Sequence, residues 1–238
     1  MPSLKRLPLK FYNALHKRIW PVYRPVPSCP ELKEIEEQAL RIPSDISDYL
    51  GNIFSEVSAL HPHLIVELGV RGGQSRSVLE RAARISGSFL VSVDLDDCSA
   101  VCGKSPLWHF VKSDDIKFAG LFQDWCSQRS IESAIDVLFV DSSHLYEHTV
   151  EEIKAWFPFL SPNCKALFHD TNMRSFYRRL DGTIGHGWNN SRGVIKAIEE
   201  SLGTKFNERI DFVTTVHGWV VRHWAHCNGF TTMERRSQ

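Results

Sequence analysis

The chain has 238 residues, 42% of them hydrophobic, and its 28 Lys and Arg are balanced by 28 Asp and Glu. This length suits one α/β domain with additions, large enough to bury a proper core, and the zero net charge argues against a nucleic-acid partner. Six scattered cysteines without a Cys-x-x-Cys pair, and apolar runs too short to span a bilayer, predict free thiols in a reducing, cytoplasmic setting.

The N-terminus departs from neutrality. Lys5, Arg6, Lys10, Lys17, Arg18 and Arg24 carry charge with no acid among them, interleaved with Leu4, Leu7, Leu9, Phe11, Tyr12, Leu15, Ile19 and Trp20. Pro21, Pro25, Pro27 and Pro30 follow. Residues 1–30 therefore read as a basic amphipathic arm with a Pro-rich linker, and residues 31–238 as the domain. The arm suits a lid, a contact in a homo-oligomer, or peripheral attachment to an anionic membrane surface. No continuous apolar stretch marks a secretory signal.

Beyond the linker the spacing predicts helices over 31–39 and 46–60. Strands and helices then alternate: strand 64–68, helix 75–85, strand 89–94, strand 108–112, helix 116–129, strand 135–140, helix 149–157 and strand 164–168. A helix over 194–202, closed by Gly203, leads to a strand pair at 212–216 and 219–222. This order predicts an α/β fold with a doubly wound, mostly parallel, seven-stranded sheet.

The segment Ile65-Val66-Glu67-Leu68-Gly69-Val70-Arg71-Gly72-Gly73-Gln74-Ser75 joins the first strand to a helix through a glycine turn. Glycines there permit a sharp bend and close approach of backbone, and the N–H groups at the helix start near Ser75 favour an anionic group. The spacing is neither G-x-G-x-x-G nor a phosphate-binding loop ending in Gly-Lys-Ser/Thr. It resembles the first motif of class I S-adenosylmethionine-dependent methyltransferases, E-x-G-x-x-x-G, which falls on Glu67, Gly69 and Gly73.

Ligands of doubly wound sheets sit at the carboxyl ends of strands. Here those ends carry Asp94, Ser113-Asp114-Asp115, Asp141-Ser142-Ser143-His144 and His169-Asp170-Thr171-Asn172. The resemblance implies that Asp94 takes the ribose diol, that Ser113 and Asp114 lie near the adenine ring, and that Asp141 completes the S-adenosylmethionine site. The run Asp141 to Glu147, with Leu160-Ser161-Pro162-Asn163 and His169-Asp170, is similar to the D-x-x-H-x-Y-E, L-x-P-G-G and H-D pattern of the group that includes catechol and macrolide-sugar O-methyltransferases. Asn163-Cys164 replaces the usual Gly-Gly. Asn163 tolerates a left-handed turn there, whereas Cys164 does not.

Methyl transfer to oxygen requires a hydroxyl that has lost or is sharing its proton. A divalent cation such as Mg²⁺ would acidify it, and Asp141 and Asp170, with Asn172 or Thr171, supply oxygen ligands. His144 or His169 is then the general base. Three other arrangements stay open. The two histidines and two acids suit Zn²⁺, Mn²⁺ or Fe²⁺, His144 suits the orientation of Asp141, and a histidine could work without metal. The irregular stretch 173–193 follows this strand end, so His186, Trp188 and Arg192 are expected to close over a small hydroxylated acceptor, a sugar being favoured over a catechol. An inactive donor-binding protein is the alternative from another class. No nucleic-acid methylation motif follows the fourth strand.

Overall fold

The computed structural model describes residues 7–19, 27–101 and 105–236. Helix α1 (Leu7–Ile19) precedes α2 (Pro30–Arg41) and α3 (Leu50–Ser58). The alternating core is β1 (Leu64–Leu68), α4 (Gln74–Ser86), β2 (Phe89–Asp94), β3 (Trp108–Lys112), α5 (Asp115–Ala119), α6 (Phe122–Ser127), β4 (Ile135–Val140), α7 (Tyr146–Trp156) and β5 (Leu160–His169). A short hairpin, β6 (Phe176–Arg178) and β7 (Ile184–His186), leads to α8 (Gly193–Leu202), β8 (Phe212–Val216), β9 (Trp219–Trp224) and β10 (Phe230–Arg235).

The main sheet has the order β3-β2-β1-β4-β5-β10-β9-β8. Pairing is parallel from β3 through β5 and antiparallel from β5 outward. Strand alternation sends side chains to two cores. Leu64, Val66 and Leu68 join one, with Phe122, Trp156 and Phe168, while Ile65 joins the other, with Val137, Phe139 and Leu167. The second core is closed by α2, α3 and α4 through Ile35, Ile53 and Leu79, all with no exposure.

Among the described residues the sheet has eight strands, not seven. The additional one, β10, lies between β5 and β9 and was not expected, because Phe230-Thr231-Thr232-Met233-Glu234-Arg235 lacks a continuous apolar run. Its threonines are nonetheless buried, and the Thr231 hydroxyl bonds His223 Nδ1 at 2.8 Å and Thr171 Oγ1 at 3.0 Å. The single helix expected over 116–129 is two, α5 and α6, parted at Gly120 and Leu121. The helix expected from residue 46 starts as a 3-10 turn at Ser47–Tyr49 before α3.

No left-handed turn forms at Asn163, since no residue from Ser161 to Cys164 takes a positive φ. β5 runs through this segment with a shifted register against β4, and Cys164 is fully buried. Free cysteines are as expected among the described residues: Cys29, Cys98, Cys126, Cys164 and Cys227. Of the arm, the described residues include α1. Pro21, Pro25 and the remaining arm cations Lys5, Arg6 and Arg24 lie outside the described residues.

Candidate active site

The glycine turn is built by two of its three glycines. Gly69 has φ +91°, and a Cβ there would lie 2.3 Å from the Asp141 carbonyl oxygen. The first glycine thus lets the β1 turn touch the end of β4, which no side chain would permit. Gly73 has φ +73°, caps α4, and would bring a Cβ within 3.0 Å of Val101. A Cβ on Gly72 would meet nothing.

Glu67 holds this turn from behind. It has no exposure, and its carboxylate accepts hydrogen bonds from Ser75 Oγ at 2.7 Å and Ser92 Oγ at 2.6 Å. Trp108 Nε1 donates to Ser92 Oγ at 3.0 Å, extending the network to β3. Burial pushes the Glu67 pKa up to about 7, against the opposing effect of the two hydroxyls. With both oxygens engaged inside the core, Glu67 acts through Ser75 and β2. It does not reach a ligand itself, contrary to the role expected of it.

Asp94, at the end of β2, faces the turn from the open side. One oxygen accepts from the N–H of Val70 at 2.7 Å and Arg71 at 3.0 Å, and the other from Asp96 N–H at 2.9 Å. Burial alone would raise its pKa, but these N–H groups hold it below the usual carboxylate range. Asp94, Gly69, Ser113, Asp115, Ser142 and His148 line a cavity of about 170 Å³. A carboxylate kept ionised beside a bent, side-chain-free backbone suits a ribose and its purine.

Asp114 is not part of that lining. Its carboxylate caps α5 by accepting from Lys117 N–H at 2.9 Å. Its neighbour Asp115 takes the place in the cavity, with Asp115 Oδ2 3.1 Å from His148 Nε2 and Glu152 Oε1 3.8 Å from that nitrogen. Burial alone would raise the Asp115 pKa, but hydrogen bonds from His148, Glu152 and the Ile116 N–H, together with the His148 charge, bring it below the usual carboxylate value. Glu152, fully buried beside Asp115, is pushed well above the carboxylate range by burial first. None of these three was expected in the site. The signal was His148 and Glu152 at i, i+4, partly hidden because α7 begins at Tyr146, three residues before the expected start.

A second cluster forms because β4 and β5 are neighbours with parallel ends. Asp141 Oδ1 lies 3.1 Å from His169 Nδ1, and Asp170 Oδ2 lies 3.3 Å from the same nitrogen. His144 Nδ1 is 3.2 Å from Asp170 Oδ2 and 3.9 Å from Asp141 Oδ1. His144 and Asp170 both adopt left-handed backbone, φ 60° and 59°. That conformation costs about 1–3 kcal/mol per non-glycine residue and concentrates at functional sites.

Burial alone would lower the His169 pKa, but Asp170 and Asp141 outweigh it and raise it well above the ordinary value. Burial raises Asp141. It would do the same to Asp170, but His169 and His144 bring that group below the usual range. His169 is therefore a cation locked between two carboxylates, almost without exposure. It is badly placed to act as the base expected of it, and it positions the acids instead. Asn172 is also elsewhere, since its Nδ2 donates to the Ala225 carbonyl at 2.7 Å and its Oδ1 accepts from Arg174 at 3.2 Å. In its stead Asp141, His144 and Asp170 each offer a ligand atom, all within 4.8 Å of one another. The buried Asp170 Oδ1 has no hydrogen-bond partner, and this donor set fits a divalent cation.

Of the three loop residues, Trp188 lies beside His144. It is 46% exposed, its ring centroid lies 6.1 Å from that of His144, and it lines a cleft of about 500 Å³ with Tyr146, Asn189, Asn190, Lys196 and Lys205. His186 packs against Phe176 across the hairpin, at 4.9 Å between centroids. Arg192 is not available to an acceptor. Its guanidinium holds Glu199 at 2.9 Å, Glu208 at 2.9 Å and the Phe206 carbonyl at 3.2 Å, so it fastens α8 to the following segment.

Residues 66–171, which contain both strand-end clusters, match the family model described as a methyltransferase domain. The fold is that of class I methyltransferases. Among solved structures the domain is similar to the S-adenosylhomocysteine-bound Podospora anserina methyltransferase PaMTH1, with 14% identity and a TM-score of 0.56 over 100% of this chain and 98% of that one. It is similar to the O-methyltransferase from Bacillus cereus with S-adenosylhomocysteine, at 14% identity and TM-score 0.56, covering 96% and 100%. It is also similar to MycE from the mycinamycin biosynthetic pathway in complex with Mg, S-adenosylhomocysteine and mycinamycin VI, at 15% identity and TM-score 0.53, covering 88% of this chain and 56% of that one. A curated relative, the uncharacterized protein y4gI of Sinorhizobium fredii, is 31% identical over 128 residues. That match covers 50% of this chain, which spans only 14% of the relative's length.

Proposed function

We propose that this methyltransferase domain moves a methyl group from S-adenosylmethionine to a hydroxyl of a small acceptor, with a sugar or glycosylated compound as the favoured class. The carrying observation is the contact of Gly69 with the Asp141 backbone. It sets the Asp94-lined cavity beside the Asp141, His144 and Asp170 cluster, so that a donor and a hydroxyl can meet across one turn. The polar cleft around Trp188 suits an acceptor rich in hydroxyls, its ring stacking on a sugar face.

Bound S-adenosylmethionine supplies a methyl on a positively charged sulfur, open to in-line attack by oxygen. Asp94 would accept hydrogen bonds from the ribose while its backbone partners keep it ionised. With His144 Nδ1 3.2 Å from Asp170 Oδ2, that carboxylate would hold the imidazole and leave His144 Nε2 to take the hydroxyl proton. His169, as a cation, keeps Asp141 and Asp170 from repelling each other. Asp141 and the unpartnered Asp170 Oδ1 would hold a divalent cation, which when bound lowers the pKa of an acceptor hydroxyl.

The test is transfer from methyl-labelled S-adenosylmethionine to a panel of sugars, nucleotide sugars and catechols, for wild type and Asp170→Asn, with and without EDTA. Label on a hydroxyl, lost in the variant, supports the reading, and loss with EDTA supports the metal. Label on nitrogen or carbon, or full turnover by the variant, overturns it. Full turnover in EDTA removes the metal and leaves the His144–Asp170 dyad as the whole mechanism.

A further inference from the structure

Helix α1 is attached to the domain by its polar side. Asn13 Nδ2 donates to the Ile184 carbonyl at 2.8 Å, and Asn13 Oδ1 accepts from the Ile184 N–H at 2.8 Å. The side-chain amide thus pairs with β7 as another strand would. His16 lies against Gly182, where a Cβ would come within 2.1 Å of its ring, and Lys17 pairs with Asp181 at 3.7 Å. The hairpin is in turn tied to the body: Arg179 Nε donates to the Ser44 carbonyl at 2.9 Å, and Leu180 N–H to Asp48 at 2.7 Å.

That docking leaves the apolar side outward. Phe11 is 74% exposed and Leu15, one helical turn on, is 48% exposed, with Tyr12 beside them. Leu180, at the tip of the hairpin that holds α1, is also exposed. A helix that merely completed the fold would bury Phe11 and Leu15 and show Asn13 and His16 to water. The charge of the arm has one sign in sequence. Lys10, Lys17 and Arg18 lie in α1, and Lys5, Arg6 and Arg24 flank it in sequence, with no acid before Glu31. Exposed large side chains interleaved with cations are the composition of a helix lying in the headgroup region of an anionic bilayer. Among the described residues no helix is long and apolar enough to cross a membrane, so the contact would be peripheral.

We propose that the outward face of α1, centred on Phe11 and Leu15 with the exposed Lys10 and set in an arm whose charges are all cations in sequence, docks the domain onto an anionic phospholipid surface. Because α1 is fastened to the hairpin that begins the 173–193 loop, docking also holds the acceptor side of the domain close to that surface.

Co-sedimentation of the full chain with vesicles of phosphatidylcholine alone, or of phosphatidylcholine with phosphatidylglycerol, tests this without any acceptor. Binding to the anionic vesicles should exceed binding to the neutral ones by at least about tenfold and weaken as salt rises. Phe11→Glu with Leu15→Glu should lower it by more than about tenfold, and Lys10→Glu by more than about fivefold, since it removes one cation and adds an acid. Val213→Glu, which removes an exposed apolar residue far along the chain on β8, should leave it unchanged. Circular dichroism and melting of each variant separate loss of binding from loss of fold, and Lys10→Glu, an exposed single change, keeps the test decisive if the double variant unfolds. Absence of binding to anionic vesicles overturns the proposal. So does equal binding by a folded Phe11/Leu15 variant, or a dimer in lipid-free solution that Phe11→Glu with Leu15→Glu dissociates.

Discussion

Glu67→Gln is a direct probe of the network that holds the donor turn. The Glu67 carboxyl has a pKa raised from 4.5 to about 7, burial being the cause. At about 1.36 kcal/mol per pKa unit, ionising it in the folded chain costs about 3 kcal/mol relative to the unfolded chain. The folded-state pKa lies above the unfolded one, so stability is highest below pH 4.5 for this group and falls as pH rises to about 7. Roughly 2.5 kcal/mol of the loss lies between pH 5 and pH 8. Gln cannot ionise. Its amide still accepts from Ser92, whose oxygen is already engaged by Trp108, and Ser75 would turn to accept from the new N–H, at a pH-independent cost of about 1 kcal/mol. Urea unfolding of wild type and Glu67→Gln at pH 5, 6, 7 and 8 should therefore give curves that diverge by about 2.5 kcal/mol toward high pH, the variant losing less. Comparing the two removes the contribution of every other titrating group. Curves that stay parallel across this range would refute the assignment of a neutral, buried carboxylic acid behind the turn.

Arg192→Ala should leave KM for the acceptor unchanged and destabilise the domain. The Glu199 carboxylate it serves has no exposed side-chain area, but Lys205 and the Phe206 N–H still face it, so the loss should be about 2–4 kcal/mol, below that of a wholly abandoned buried charge. Thermal melting measures it, at roughly 2–4 °C per kcal/mol for a domain of this size. Trp188→Ala should raise KM for the acceptor about tenfold or more and leave the affinity for S-adenosylhomocysteine within about twofold, as stacking contributes about 0.5–1.5 kcal/mol beyond burial. An equal loss of both affinities would place Trp188 in the donor site.

Much of the architecture was legible because apolar runs and glycine turns are local. β1 through β5 and the turn at Gly69 and Gly73 were placed from spacing alone, and the strand-end rule located Asp94, Asp141, His144 and Asp170. What was hidden depends on partners distant in sequence. β10 carries Thr231, Thr232 and Glu234, which a reader of polarity leaves outside a sheet; the buried Thr231 is satisfied by His223 and Thr171, and Glu234 by Lys165 and Arg236. Lys165 itself sits inside β5 because Glu56 meets it at 2.7 Å. The 173–193 loop contains a hairpin too short to show a period, held by Arg179 and by Asn13 from α1. Residue type suggested ligand contact for Arg192, Asn172 and Asp114. In the folded chain each satisfies a neighbouring charge or backbone group instead, and neighbours of that kind cannot be counted before the chain is folded. The same blindness gave His169 the role of base, since its two flanking carboxylates come from the ends of two different strands.

The central claim, that the turn at Gly69 and the carboxylate of Asp94 form the S-adenosylmethionine site, is tested most directly by calorimetric titration of S-adenosylhomocysteine into wild type, Asp94→Ala and Asp170→Asn. Wild type should bind one equivalent and Asp170→Asn should bind nearly as well. Asp94→Ala should lose about 1.5–3 kcal/mol, or more than about tenfold in affinity, for hydrogen bonds to a charged group. Undiminished binding by a folded Asp94→Ala variant, or no binding by wild type, would contradict it.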